Sequence, residues 1–319
     1  RRRMFAVLID QFWSLTIAGI ALGFIYVLVS LGYTMVYGVL RMINFANSEI
    51  FMWGTFGAVI SNRDLFKYTQ TSEPATGLKL LVVLFTGLLI SMFVASLTAV
   101  FVEFVAYRRL RMRGTNRLAT LISAIGVSIA LAEVMRLLTD SRPVGSPRVL
   151  EKIILTEVWG ANVRLDTLIT IIAAAVIYFI LERFIKLSRM GKAIRAVSQN
   201  EDAAKLMGVN LNRVITVTFL IGGLATGAAG FFYITVFEYT KFNIGFTMGL
   251  AAFTAAVLGG IGNIRGAFWG GLSLGLIEVY ASAVLGTQWK AVTVFVVLVL
   301  VLLFKPNGLF GEAVQQTRA

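Results

Sequence analysis

Asn44, Asn47, Ser48 and Glu49 fall within six residues at the head of an otherwise apolar stretch. Polar groups at membrane depth are costly and face a cavity or one another. Two readings follow: transient contact with a passing polar solute or gating at a subunit interface, and a self-satisfied hydrogen-bond cluster or a site at the headgroup level. A second constellation lies in the polar stretch 190–208, where Asp202-Ala203-Ala204 is followed by three residues and then Gly208. The span from Gln199 to Met207 reads as a short helix. Ala203, Leu206 and Met207 share one side, while Asn200, Glu201 and Lys205 are more polar. Glu201 and Asp202 suit the positive end of the helix dipole, and Gly208 is placed as a C-terminal stop. Such a helix can be gripped by a soluble partner; taken alone, it also reads as a helix lying in the headgroups.

Enzymatic chemistry finds little support. With no His and no Cys, the chain has no thiol, disulfide, histidine acid/base or zinc-finger chemistry. No phosphate loop is present: Gly191-Lys192 is followed by Ala193 and lacks the upstream glycine. ATP hydrolysis by this chain is therefore not expected. No nucleophile elbow or metal-binding motif occurs. Glu103, Glu133 and Glu278 read as structural ion-pair partners, Glu133 with Arg136 at i,i+3. The expected catalytic, metal and cofactor sets are empty.

The elements that position both constellations are membrane helices. The composition is 58% hydrophobic and 14% charged, and several uncharged windows reach the about 20 residues needed to cross about 30 Å of hydrocarbon. Spans are expected at 13–37, 43–61, 78–107, 118–139, 168–185, 214–237, 246–260, 267–285 and 291–304. Helices satisfy their backbone in lipid, and these windows lack barrel-like alternation. The second and seventh windows are broken by polar residues or glycines, as half-spanning helices beside a pathway are. The expectation is an all-α polytopic integral membrane protein with about eight or nine transmembrane or half-transmembrane helices, one domain over 1–319.

A net charge of +13 could suggest nucleic acid, but the basic residues sit in short loops beside the spans. Arg108, Arg109, Arg111, Arg113 and Arg117 form one such loop; Lys186, Arg189, Lys192, Arg195, Lys205 and Arg213 lie in another, 186–213. Both are expected to be cytoplasmic, which makes 140–166 external. Alternation then puts Arg1–Arg3 outside, unless 43–61 is re-entrant. The start of the chain lacks the pattern of a cleavable signal peptide. Gly19/Gly23, Gly223/Gly227, Gly245/Gly249, Gly266/Gly270 and Gly271/Gly275 are spaced for close helix approach. Trp13, Trp53, Trp159, Trp269 and Trp289 suit interfacial anchoring.

The Asp-Ala-Ala-x3-Gly pattern, with Val209-Asn210 after it, resembles the coupling loop of ABC importer permeases. Further stretches are similar to the branched-chain amino acid permease family: Gly32-Tyr-Thr-Met-Val-Tyr-Gly38, Met42-Ile-Asn-Phe-Ala46, Leu121-Ile-Ser-Ala-Ile-Gly-Val-Ser128, Ala252-Phe-Thr-Ala-Ala-Val-Leu-Gly-Gly-Ile-Gly-Asn263 and Lys305-Pro-Asn-Gly-Leu-Phe310. The likeness runs from about Thr16 to Gly311 and is to the H-type permease rather than the longer M-type. It implies the ABC importer permease fold, the bacterial inner membrane, an M-type partner, two ATP-binding subunits that hold ATP and Mg, and an external substrate-binding protein. It also implies that Arg195, Glu201, Asp202, Ala203, Ala204, Leu206, Met207 and Gly208 couple to the ATPases. Asn44, Asn47, Ser48 and Glu49 then become candidates to line the path of a branched-chain amino acid or related small solute. The family usually has His-Gly where this chain has Asn47-Ser48; Asn47 cannot titrate, so no proton-coupled role rests there. A facilitator working without ATPases, and an intramembrane enzyme or scaffold using Glu49 and Glu133, are the rival readings.

Overall fold

The structure is a computed structural model that describes residues 11–69, 72–158 and 161–311. Arg1–Arg3 and Trp159 lie outside the described residues. The chain folds into α1 (Phe12–Leu40), α2 (Asn47–Ile60), α3 (Gly77–Met112, including a π-helical turn at Glu103–Arg108), α4 (Arg117–Leu138) and α5 (Leu165–Leu187). There follow α6 (Arg189–Gln199), α7 (Glu201–Leu206), α8 (Leu211–Phe237), α9 (Ile244–Gly259), α10 (Ile264–Leu285) and α11 (Lys290–Phe304). Among the described residues, seven helices are long and apolar enough to cross a membrane. They correspond to α1, α3, α4, α5, α8, α10 and α11.

α9, with 16 residues, is too short to cross alone; α2 has 14 α-helical residues followed by a π-helical turn at Ser61–Leu65, and α11 reaches spanning length together with the turn before it, Thr287–Phe304. At 1.5 Å per residue the α-helical part of α2 and the whole of α9 cover roughly 21–24 Å, less than the hydrocarbon thickness. Each is completed by non-helical chain, 41–46 before α2 and 239–243 before α9. These are the two windows that polar residues and glycines interrupt.

Contacts at the helix ends sort the two faces. On one face, Arg41 at the end of α1 donates to the Ser198 carbonyl of α6, and Arg111 at the end of α3 donates to Asn212 at the start of α8 at 2.8 Å. The chain after α11 returns to the same face, where Leu309 N and Phe310 N donate to Leu258 O and Gly259 O at 2.8 and 3.0 Å. This face gathers the arginine-rich loop and is cytoplasmic. On the other face, Asn62, just past α2, donates to Ser146 at 3.2 Å, and Tyr280 of α10 donates to Phe12 O at 3.1 Å. Hence α1 starts outside and residues 41–60 form a full crossing; re-entrance is not what the fold adopts.

Burial singles out the centre. In α1 and α8, 72% and 78% of the apolar window is buried, against 11–28% in the other long helices. Glycine explains the proximity: Gly271 of α10 meets α1 so closely that a Cβ would lie 2.6 Å from Val27 N, and Gly275 abuts Gly23. All five glycine pairs named above pack within the subunit. In contrast, Leu81, Phe85, Leu89, Phe93, Leu97 and Phe101 of α3 are exposed, as suits a lipid-facing row.

The external segment 140–166 is more ordered than a loop. It holds β1 (Val144–Gly145), β2 (Ile154–Val158) and β3 (Ala161–Arg164), with β2 and β3 paired as an antiparallel hairpin. β1 pairs with β4 (Tyr239–Thr240), beyond α8. Short ladders satisfy backbone groups where the chain cannot continue as helix. Trp53 is a second departure. Its indole nitrogen is buried inside α2's packing, without a partner, so it is not an interfacial anchor.

Candidate functional site

The polar cluster opens α2. The Asn44 side-chain oxygen accepts from Ala46 N at 3.2 Å, just before α2 begins at Asn47. The same oxygen accepts from the Tyr107 hydroxyl of α3 at 3.1 Å. Asn47 donates to Val29 O of α1 at 3.3 Å and accepts from the Thr226 hydroxyl of α8 at 3.4 Å. Ser48 donates to Phe45 O at 2.7 Å and lies 3.4 Å from Glu49 Oε1. Val29 and Thr226 are both near the middle of their helices, so the cluster stands near mid-membrane. All four side chains are buried, between 1% and 7% exposed.

Burial here is incomplete satisfaction. Asn44 Nδ2 and Glu49 Oε2 are buried with no hydrogen-bond partner. An unpaired buried polar group carries its full desolvation penalty. The glycines of α9 complete the packing: a Cβ at Gly245 would lie 2.6 Å from Ser48 O and 2.7 Å from Glu49 Oε2. The first turns of α2 and α9 therefore converge, with Glu49 between them. Sequence reasoning found the four residues but not Tyr107 or Thr226, which come from distant helices and carry no local signal.

The cytoplasmic segment is two helices instead of one. Asn200 leaves helical geometry (φ −149°, ψ 109°), and its side chain accepts from Ala203 N at 3.0 Å. That cap ends α6 at Gln199 and starts α7 at Glu201. Ser188 caps α6 through Gly191 N, and Asn210 caps α8 through Arg213 N, at 2.9 and 3.1 Å. Gly208 has φ +82° and donates to Lys205 O at 2.9 Å. The end of α7 is thus fixed by a left-handed residue. A Gly208→Val replacement meets no steric obstacle, so its cost is backbone strain, roughly 1–2 kcal/mol. Hydrogen exchange should report faster exchange confined to 201–209.

Orientation within α7 decides what a partner meets. Ala204 is 4% exposed, while Leu206 and Met207 are 89% and 85% exposed. Lys205 pairs with Glu201 at 2.7 Å, and Asp202 points to solvent. Ala203 is exposed, and Arg195 on α6 donates back to Lys186 O at 3.1 Å. Two large apolar side chains are thus held out from the membrane face by capped helices.

Other acidic residues are structural. Glu103, 1% exposed, takes the Arg111 guanidinium at 3.1 Å and the Thr216 hydroxyl at 3.3 Å. Glu133 pairs with Arg136 at 2.6 Å, and Glu278 lies 3.8 Å from Lys290. Among the described residues, no group of three or more acidic, His or Cys side chains is placed to hold a metal. On the external face a cavity between Asn62, Ser146, Arg148, Phe231 and Glu238 is lined in part by the Arg148–Glu238 ion pair. Burial raises the Glu238 carboxyl pKa, but hydrogen bonds from Lys152 and Arg148 outweigh it and hold the group below its ordinary range. A lowered folded pKa stabilises the fold above the unfolded value and loses that contribution as pH falls through the folded one. The melting-temperature difference between native protein and Glu238→Gln should be positive at neutral pH and shrink as pH falls below the ordinary carboxylate range.

The branched-chain amino acid transport system permease family model matches residues 15–303. This chain belongs to that family. It is 38% identical over 297 residues to the high-affinity branched-chain amino acid permease BraD of Pseudomonas aeruginosa, with 92% of this chain and 94% of BraD covered. The LivH permease of Escherichia coli K12 matches with the same identity and coverage. A solved inward-facing ABC transporter assigned to the metal-chelate type covers 95% of this chain and 98% of its own, at 11% identity and TM-score 0.49. As an H-type member of the branched-chain amino acid permease family, the chain is a non-catalytic, multi-pass permease component of an ABC-type importer in the bacterial inner membrane.

Proposed function

We propose that this permease passes branched-chain amino acids inward, driven through the α6–α7 segment by ATPase subunits that dock on it. The observation that carries the reading is the exposure of Leu206 and Met207 on the cytoplasmic face. Apolar side chains presented on a short, rigidly capped helix suit a groove on a soluble partner. In the proposed assembly, Leu206 and Met207 fill that groove, Ala203 allows close approach, and Asp202 and Glu201 supply charged rim contacts. Ala204, Gly208 and Arg195 hold the segment's shape. An M-type permease stands beside this chain, two ATPases bind ATP and Mg below it, and a substrate-binding protein delivers solute to the outer face.

The Asn44–Glu49 cluster belongs to the path in this proposal. It lies between the first turns of two helices that non-helical chain leads into within the membrane, the arrangement in which transporters place solute sites. Because the cluster is closed within the subunit, solute access requires α2 and α9 to move relative to each other. Closure of the ATPases around ATP supplies that motion through α7.

Reconstitution tests the proposal. The chain, its M-type partner and the ATPases are co-purified, placed in proteoliposomes and given binding protein and labelled leucine. ATP-dependent accumulation is expected. Leucine flux of equal size without ATP or ATPases would overturn the reading in favour of a facilitator.

A further inference from the structure

Arg108 and Arg109, at the cytoplasmic end of α3, both lie over the ring of Phe104, with guanidinium carbons 5.8 and 5.4 Å from its centre. A π-helical turn over Glu103–Arg108 makes this possible. In an α-helix the residue five positions on points about 140° away, whereas the i→i+5 bonding of a π-helical turn brings it back to the same side. One ring therefore gathers two cations. Neither has an ion-pair partner among the described residues. The sequence has no acidic residue between Glu103 and Glu133, and Glu103 is taken by Arg111, which turns inward to it and to Asn212.

Depth identifies what the two cations meet. Ser91 of α3 donates to Gly227 O of α8 at 2.7 Å, beside Thr226 and so near mid-membrane. From Ser91 to Phe104 the helix rises roughly 20 Å at 1.5 Å per residue. Helix side chains lean toward the N-terminus, which carries both guanidinium groups back to the level of the ring. A bilayer is about 40–45 Å thick with its headgroups, so ring and cations stand among the lipid phosphates. Phe104 is exposed and continues the Leu/Phe row of α3, which lacks the small residues that helix–helix contacts in membranes use. Lipid covers this face. We infer that Phe104, Arg108 and Arg109 form a binding site for an anionic phospholipid. Its phosphate takes the guanidinium N–H groups, and its acyl chains run along Phe101 and Leu97. Paired cations at this level favour an anionic headgroup over a zwitterionic one. The site is independent of how transport is driven.

The full chain in phosphatidylcholine vesicles tests the site. The chain has no cysteine, so Leu97→Cys gives it one thiol, on the exposed row, for a bimane label. Lipids brominated midway along the acyl chain quench that label when they sit beside α3. Brominated phosphatidylglycerol is expected to quench at about tenfold lower mole fraction than brominated phosphatidylcholine. Adding Arg108→Gln with Arg109→Gln should erase the preference, while Arg108→Lys with Arg109→Lys should keep most of it. Arg183→Gln, at an exposed position on α5, should leave it unchanged. Equal quenching by the two lipids would overturn the site. So would a preference that survives the double Gln variant, or one that falls as far with Arg183→Gln. Loss of preference in millimolar inorganic phosphate, but not in chloride of equal ionic strength, would overturn lipid as the ligand. If the double Gln variant does not accumulate, the two single Gln variants decide: each is expected to lose about threefold, and an unchanged preference in both overturns the site.

Discussion

Replacing Leu206 and Met207 together by Asp is expected to strip the ATPases from the complex and cut leucine uptake by about 100-fold or more. Both side chains are almost wholly exposed, so the substitution leaves the subunit's own packing intact. In a groove, by contrast, each carboxylate would be desolvated without a partner, a large penalty. Co-purification reads assembly, and a melting curve of the isolated permease reads folding. The expected outcome is an unchanged melting temperature with ATPase lost. ATPase retention and normal uptake by the double variant would remove α7 from the coupling role. A charged side chain at Ala204 is a poorer probe, because Ala204 is buried and its replacement damages α7 itself.

The second large effect is on folding. Gly275→Leu should prevent accumulation of the subunit in the membrane, because a Cβ there falls on the backbone of Gly23 and crowds Gly19 O at 2.6 Å. Lipid gives no hydrophobic drive for helices to associate, so close backbone approach supplies the attraction between α1 and α10. Separating them gives up contacts along most of both helices as well as the about 1–3 kcal/mol that overpacking costs. Gly126→Leu on α4 is the control, since nothing lies within 4 Å of a Cβ there. Quantifying both variants in isolated membranes, with a melting curve for any that accumulates, checks the contrast. Equal accumulation of the two would show that α1 and α10 have room to part.

The sequence and the fold contributed unequal shares in the segment 190–208. Asp202, Ala203, Ala204 and Gly208 marked the helix and its stop by local chemistry alone, since dipole preference and left-handed geometry need no tertiary partner. The break at Asn200 was also local: an Asn three residues before Ala203 is an N-cap pattern. Which side chain pointed inward was not. Ala203 and Ala204 are chemically the same, and only packing against the rest of the subunit buries Ala204 and leaves Ala203 exposed.

The polar cluster at the start of α2 shows the same division more sharply. Hydropathy reveals that Asn44, Asn47, Ser48 and Glu49 interrupt a span, because burying them in lipid is costly wherever the helix goes. Their partners, Tyr107, Val29 and Thr226, lie on three other helices, brought in by pairings that a single sequence does not display. By itself the sequence determined that the chain crosses the membrane, which face holds its basic loops, where helices are capped and where two of them are interrupted, since these follow from transfer energies and local hydrogen bonding. Tertiary structure alone decided which helices meet, which polar groups are left unpaired and which side chains stay exposed, because those depend on backbones approaching across long stretches of chain.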